Sequence, residues 1–177
     1  MVDSSRLQGL MRGRALDPAE CAELARDAAG LVDLGSVERT GDGSFELLWR
    51  DEHSEGWLNL WWEPRDTGFH DHGASCVGVH VLEGVARNEG LTLGGERQVT
   101  EHLAGDSFSF PSGGIHRMEH ERGAVTIHVY SPALREIGHY ELVEGQLRRH
   151  AGAPDAASQP SPGLSAALAR EAPLLPG

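Results

Sequence analysis

Ten histidines stand in this chain of 177 residues, and three of them have the spacing of metal ligands. His70 and His72 flank Asp71 at the entrance of an expected strand. Side chains two apart on a strand share one face, so both imidazoles reach toward one point. A third imidazole from another strand would complete one face of an octahedron. His116 is the candidate, because it closes a patterned segment in which Gly105, Pro111 and Gly113 precede it. Neutral imidazole is the commonest protein ligand for divalent transition metals.

The elements that must position these side chains read as short strands. Residues 45–50 and 57–62 are apolar stretches around a polar turn at 51–56. Val77, Val79 and Val81 alternate with Gly78, His80 and Leu82 until Glu83-Gly84 breaks the run. Residues 91–93 precede a Gly94-Gly95 turn, Val99, Glu101 and Leu103 follow, and 107–110, 115–119 and 125–130 complete the series. Many short strands without intervening helices predict an all-β sandwich or barrel, placed at residues 36–145.

Ahead of the barrel, Asp17 reads as an N-cap and Pro18 as a first helical residue. Cys21, Leu24, Ala28 and Leu31 recur at helical spacing, so a helix runs to about residues 30–33. This gives a helical segment, 1–35, packed on the barrel, with Cys21 as one of its core residues. Residues 146–177 are rich in Pro, Ala and Ser and read as an irregular C-terminal arm, with one short helix over 164–171.

The chain carries 27 acidic residues against 15 basic ones, every base is Arg, and the net charge is -12. A phosphate-binding surface should be basic, so nucleic acid is excluded as a partner, and an anionic membrane with it. No apolar run approaches the ~20 residues of a membrane span. Residues 1–14 lack the apolar stretch of a signal peptide. Cys21 and Cys76 form neither a CxxC nor a disulfide framework. The expectation is a cytoplasmic protein, monomer or homodimer.

The segment Gly105, Pro111, Gly113, His116 resembles the second metal-binding motif of the cupin superfamily, with His120 where its closing Asn would stand. His70, His72 and Gly84 resemble the first motif. The resemblance implies a mainly β cupin fold, a double-stranded β-helix or jelly-roll barrel, with a metal on His70, His72 and His116. The acidic ligand of the general pattern would fall at Val77, which cannot bind metal. Three imidazoles alone would leave about half of an octahedral ion's positions open, for a chelating substrate and for dioxygen.

A narrower resemblance rests on Phe69-His70-Asp71-His72-Gly73, on Ile115-His116-Arg117-Met118-Glu119 and on Thr126-Ile127-His128-Val129-Tyr130-Ser131-Pro132. Together they resemble the cysteine dioxygenase family, cupins with a three-His iron site that oxidise thiols to sulfinic acids. This implies Fe(II) as cofactor, a small-molecule thiol and O2 as substrates, and Tyr130, oriented by His128, as the catalytic pair. Thr126 replaces the family's Ser on that strand.

The family's carboxylate-binding Arg falls at Leu47, so plain cysteine is not the expected substrate. A thiol acid such as 3-mercaptopropionate, or a thiohistidine betaine such as ergothioneine, fits better. Arg50, Arg65 and Arg117 are the candidate anion contacts, Arg50 needing a bulge to turn inward. Trp61 is a candidate aromatic wall for the substrate. The family's Cys–Tyr crosslink is not expected, because Cys76 has the wrong strand parity for Tyr130. The same triad would serve a cupin dioxygenase acting on carbon, or a metal- or ligand-binding cupin without turnover.

Overall fold

The computed structural model describes residues 4–37, 39, 41–91, 97–144 and 146–150. Its strands are β1 (Ser44–Arg50), β2 (Glu55–Trp61), β3 (Arg65–Asp66), β4 (Phe69–Asp71), β5 (Cys76–Glu83), β6 (Val85–Leu91), β7 (Arg97–Leu103), β8 (Ser107–Phe110), β9 (His116–His120), β10 (Ala124–Ser131), β11 (Gly138–Val143) and β12 (Gln146–Arg149). They form two antiparallel sheets. One runs β1-β2-β10-β5-β8, and the other β12-β11-β4-β9-β6-β7 with β3 also on β9. This is the double-stranded β-helix that the paired motifs imply.

Two helices precede the barrel, α1 (Ser4–Gln8) and α2 (Pro18–Ala29). Helix α2 begins as the sequence predicts. The Asp17 side chain accepts from Glu20 N, the Glu20 side chain accepts from Asp17 N, and Pro18 occupies the first turn. That reciprocal capping box satisfies two otherwise orphaned amides. Cys21, Leu24, Ala25 and Ala28 form its buried stripe.

The stripe packs on the outer face of the five-stranded sheet, against Leu58, Leu60, Trp62, Cys76, Val125, Ile127 and Val129. Burying each such large side chain contributes on the order of 1.5–3 kcal/mol. The approach is close enough that a Cβ on Gly78 of β5 would stand 2.0 Å from the backbone nitrogen of Ala22. Because α2 covers one face and the barrel interior the other, every residue of β2 is buried. Period-2 alternation then sends Trp57, Asn59 and Trp61 into the lumen while Leu58, Leu60 and Trp62 meet the helix.

Of the strand expected near residues 91–93, Leu91 is the last residue of β6, which begins at Val85, and 92–93 lie outside the described residues. The Gly94-Gly95 turn and the short helix over 164–171 lie outside the described residues. The segment expected to open the C-terminal arm at residue 146 starts as β12, paired along β11. No helix among the described residues is long and apolar enough to cross a membrane.

Candidate metal centre

Strands β4 and β9 pair at one position, His70 opposite His116. His72 lies just past β4, two residues from His70 and on the same side. The ligand atoms of His70, His72 and His116 all fall within 4.8 Å of one another, and all three residues are buried. Ring centroids are 5.0 Å apart for His70 and His72, 4.5 Å for His70 and His116, and 5.1 Å for His72 and His116.

The nitrogens are sorted by their partners. His70 Nδ1 lies 2.9 Å from the carbonyl of Gly68, which can only accept, so Nδ1 carries the proton. His116 Nδ1 lies 2.9 Å from Asn88 Oδ1 and donates likewise. Both Nε2 atoms are thereby left as acceptors. His116 Nε2 is buried without a hydrogen-bond partner among the described residues. A bare buried acceptor costs about 1–3 kcal/mol, and a metal ion is one group that would satisfy it.

Burial also keeps the cluster uncharged. Loss of solvation pushes His70 down to about 4, and pushes His72 and His116 well below the ordinary imidazole value. His70 disfavours charge on His72 and His116 as a second cause, and His72 adds to this at His116. Neutral imidazole is the metal-binding form, so the donor set fits a divalent transition ion. Among the described residues no carboxylate joins it. Val77 occupies the wall where an acidic ligand would have stood.

The loops that carry the ligands are tied together. Asp71 accepts from the backbone of Gly73 at 2.9 Å and of Gly138 at 3.3 Å, and from the Tyr140 hydroxyl. Gly113, whose φ of 69° suits glycine, donates its N–H to the carbonyl of Gly73 at 3.1 Å. Thr67 Oγ1 accepts from Met118 N at 2.9 Å, which fixes the turn before His70 to β9.

A cavity of about 30 Å³ adjoins the triad, lined among others by Asn59, Thr67, Val79, Met118, His128 and Tyr130. The Tyr130 ring lies 5.1 Å from that of His72. Behind it runs a polar chain along β10. Trp61 Nε1 donates to Thr126 Oγ1 at 3.1 Å, and Thr126 Oγ1 lies 3.1 Å from His128 Nε2. His128 Nδ1 lies 3.4 Å from the Tyr130 hydroxyl.

Thr126 is fully buried, and His128 Nε2 is the acceptor this chain offers its proton. His128 then carries its own proton on Nδ1, facing Tyr130. That leaves the Tyr130 proton free to point into the cavity. The His128–Tyr130 contact is long for an N–H···O bond, as such bonds often are before a substrate binds. Burial, with Glu55 adding to it, raises the Tyr130 pKa and keeps the hydroxyl a neutral donor.

The other sequence candidates are placed as follows. Trp61 lines the cavity. Arg50 follows an irregularity in the β1–β2 register between Leu47 and Trp49. Its Nε pairs with the buried Glu55 at 2.5 Å, and its guanidinium lies 5.9 Å from the Trp57 ring. Arg65 lies on β3 opposite His120. Arg117 pairs with Glu89, Glu119 and Asp66. None of the three arginines is among the residues lining the cavity.

Asn88, Asn59 and Thr67 belong to the site and were not singled out from the sequence. The available signal was a polar side chain at a lumen-facing strand position, readable only once strand parity is known. His120, where the motif's Asn would stand, is buried, stacks on Trp61 at 4.0 Å, and has no hydrogen-bond partner on either nitrogen among the described residues.

No protein-family model and no curated protein matches the chain. Solved structures do match part of the chain. Oxalate decarboxylase from Bacillus subtilis, which has Mn(II) centres, is 22% identical over 46% of this chain and 22% of its own, with a TM-score of 0.43. KdgF from Halomonas sp. is 17% identical over 56% of this chain and 86% of its own, at 0.45. A double-stranded β-helix protein from Klebsiella pneumoniae is 16% identical over 55% and 84%, at 0.46. The match thus spans about a fifth of the oxalate decarboxylase chain. What this chain itself supplies is a buried, neutral triad of imidazoles in a β-barrel, and a tyrosine hydroxyl facing it.

Proposed function

We propose that this protein is a non-haem Fe(II) thiol dioxygenase, converting a small-molecule thiol RSH and O2 into the sulfinic acid RSO2H. Both oxygen atoms enter one product, so no external reductant is needed. Fe(II) on the triad would supply the redox chemistry and the open positions at which thiolate and dioxygen meet.

The observation that carries this reading is the Tyr130–His128–Thr126 chain beside three imidazoles without a carboxylate. Tyr130 then holds the reacting sulfur or oxygen by a hydrogen bond, preorganised from behind by His128. The lumen walls Val77, Val79 and Met118 exclude water from that point. Among the described residues the cavity's lining contains no arginine and no acid, which supports a substrate other than plain cysteine.

Oxygen uptake by Fe(II)-loaded protein across a thiol panel tests the reading. The panel is cysteine, 3-mercaptopropionate, cysteamine, ergothioneine and the uncharged aromatic thiol thiophenol, with the sulfinate identified by mass. Uptake with at least one thiol is expected. No uptake with any of them, in protein shown to hold one iron, would overturn the assignment in favour of carbon oxidation or ligand binding.

A further inference from the structure

The cavity beside the triad, at about 30 Å³, has room for little more than a water-sized group. A groove of about 310 Å³ lies on the same lumen face, between β7 and β8. That volume is at the lower end of the range for small-molecule sites. Strands β7 and β8 are the terminal strands of the two sheets, so the groove is where the barrel opens.

The groove abuts the metal centre through three residues that touch or face His116. Asn88 lines it and also holds His116. Phe110 lines it, and its ring lies 4.2 Å from that of His116. Gly90 lines it as well, and stands opposite His116 in the β6–β9 register. Side chains paired in this way lie about 4.5–5.5 Å apart at Cβ. A Cβ on Gly90 would meet only Asn88 Nδ2, at 3.9 Å, so the missing side chain leaves open space beside the ligand.

The groove's chemistry limits what it takes. One wall is aromatic, with His102 stacked on Phe108 at 3.7 Å and Phe108 edge-on to Phe110 at 5.6 Å. Gln98 and Thr100 supply an amide and a hydroxyl on β7. Among the described residues no acid and no arginine lines it. Burial lowers the His102 pKa, which favours the uncharged ring.

We infer that this groove holds the body of the substrate, and that this body is flat and uncharged, reaching the metal centre over Gly90 and along Phe110. The inference rests on the thiol-oxidising reading, and deepens it by naming the kind of thiol.

Co(II)-loaded full-length protein offers the test, read by the thiolate-to-cobalt absorption band. Thiophenol is the flat uncharged probe, 2-mercaptoethanol the small thiol, and azide the small non-thiol ligand. Thiophenol is expected to give the band in the wild type. Gly90→Leu should raise its Kd at least tenfold more than it raises that of azide. Phe110→Leu should weaken thiophenol severalfold more than 2-mercaptoethanol, and Gly90→Ala is the milder variant should Gly90→Leu not fold.

If 2-mercaptoethanol gives the band and thiophenol does not, the groove assignment is overturned and the thiol reading stands. Equal shifts of thiophenol and azide in the Gly90 variants overturn it as well. If azide binds and neither thiol gives a band, both readings fall.

Discussion

Asn88 Oδ1 lies 2.9 Å from His116 Nδ1, bridging β6 and β9 from behind the triad. This one acceptor sets the tautomer of His116 and aims its Nε2 at His70 and His72. Removing such a partner typically costs about 10- to 100-fold in metal affinity. Asn88→Leu should therefore bind Fe(II) or Co(II) weaker by that order in a chelator competition. An unchanged affinity would show that His116 is oriented by other contacts.

Tyr130 is placed to donate to substrate and not to hold metal. Tyr130→Phe should retain one equivalent of iron and lose on the order of a hundredfold in turnover, the usual scale for one preorganised donor. Metal content and oxygen uptake on the same preparation separate the two effects. Full activity in Tyr130→Phe would remove the hydroxyl from the mechanism.

The metal-free barrel should be acid-sensitive in a defined window. Burial pushes His70 to about 4 and His128 to about 3, and holds His72, His116 and His120 well below the ordinary value. In the unfolded chain these groups take protons near pH 6.5, so below that point the unfolded state binds more of them. Stability should then fall as pH drops from about 6.5 toward 4, by at most about 1.4 kcal/mol per unit for each histidine. Urea midpoints of metal-free protein between pH 7.5 and 4.5 check this, and a flat profile would contradict it.

Gly78 lets α2 lie on β5. A methyl group there would meet the backbone of Ala22 at 2.0 Å and of Cys21 at 2.2 Å. Gly78→Ala should destabilise the fold by about 1–3 kcal/mol, as overpacking does, visible as a lower Tm. A Tm equal to wild type would mean that the helix can shift outward without cost.

Cys76 faces Cys21 across the helix–sheet contact, with sulfurs 3.7 Å apart, and pairs in register with Ser131. Tyr130 points into the lumen opposite Val77. The intact mass should therefore show no loss of two hydrogens assignable to a Cys76–Tyr130 bond. Such a loss, mapped to those residues, would require β5 to shift by one residue.

What the sequence by itself determined is local. The capping of α2 by Asp17, Pro18 and Glu20 follows from side chains that reach only their own first turn. The common face of His70 and His72, and of Thr126, His128 and Tyr130, follows from strand geometry, which repeats every two residues. The opposite parities of Cys76 and Val77 follow from the same period.

The tertiary structure decided everything that depends on which strands become neighbours. Asn88 meets His116, and Gly90 opens space beside it, only because β6 pairs with β9. Arg50 meets Glu55 after an irregularity in β1 whose place no periodicity marks. Trp61 enters the lumen and Trp62 the helix-side core because α2 covers one face of the sheet, which strand alternation alone cannot assign. The physical reason is that alternation belongs to the backbone of one strand. Pairing and the choice of inner face, in contrast, are set by burial between segments distant in the chain.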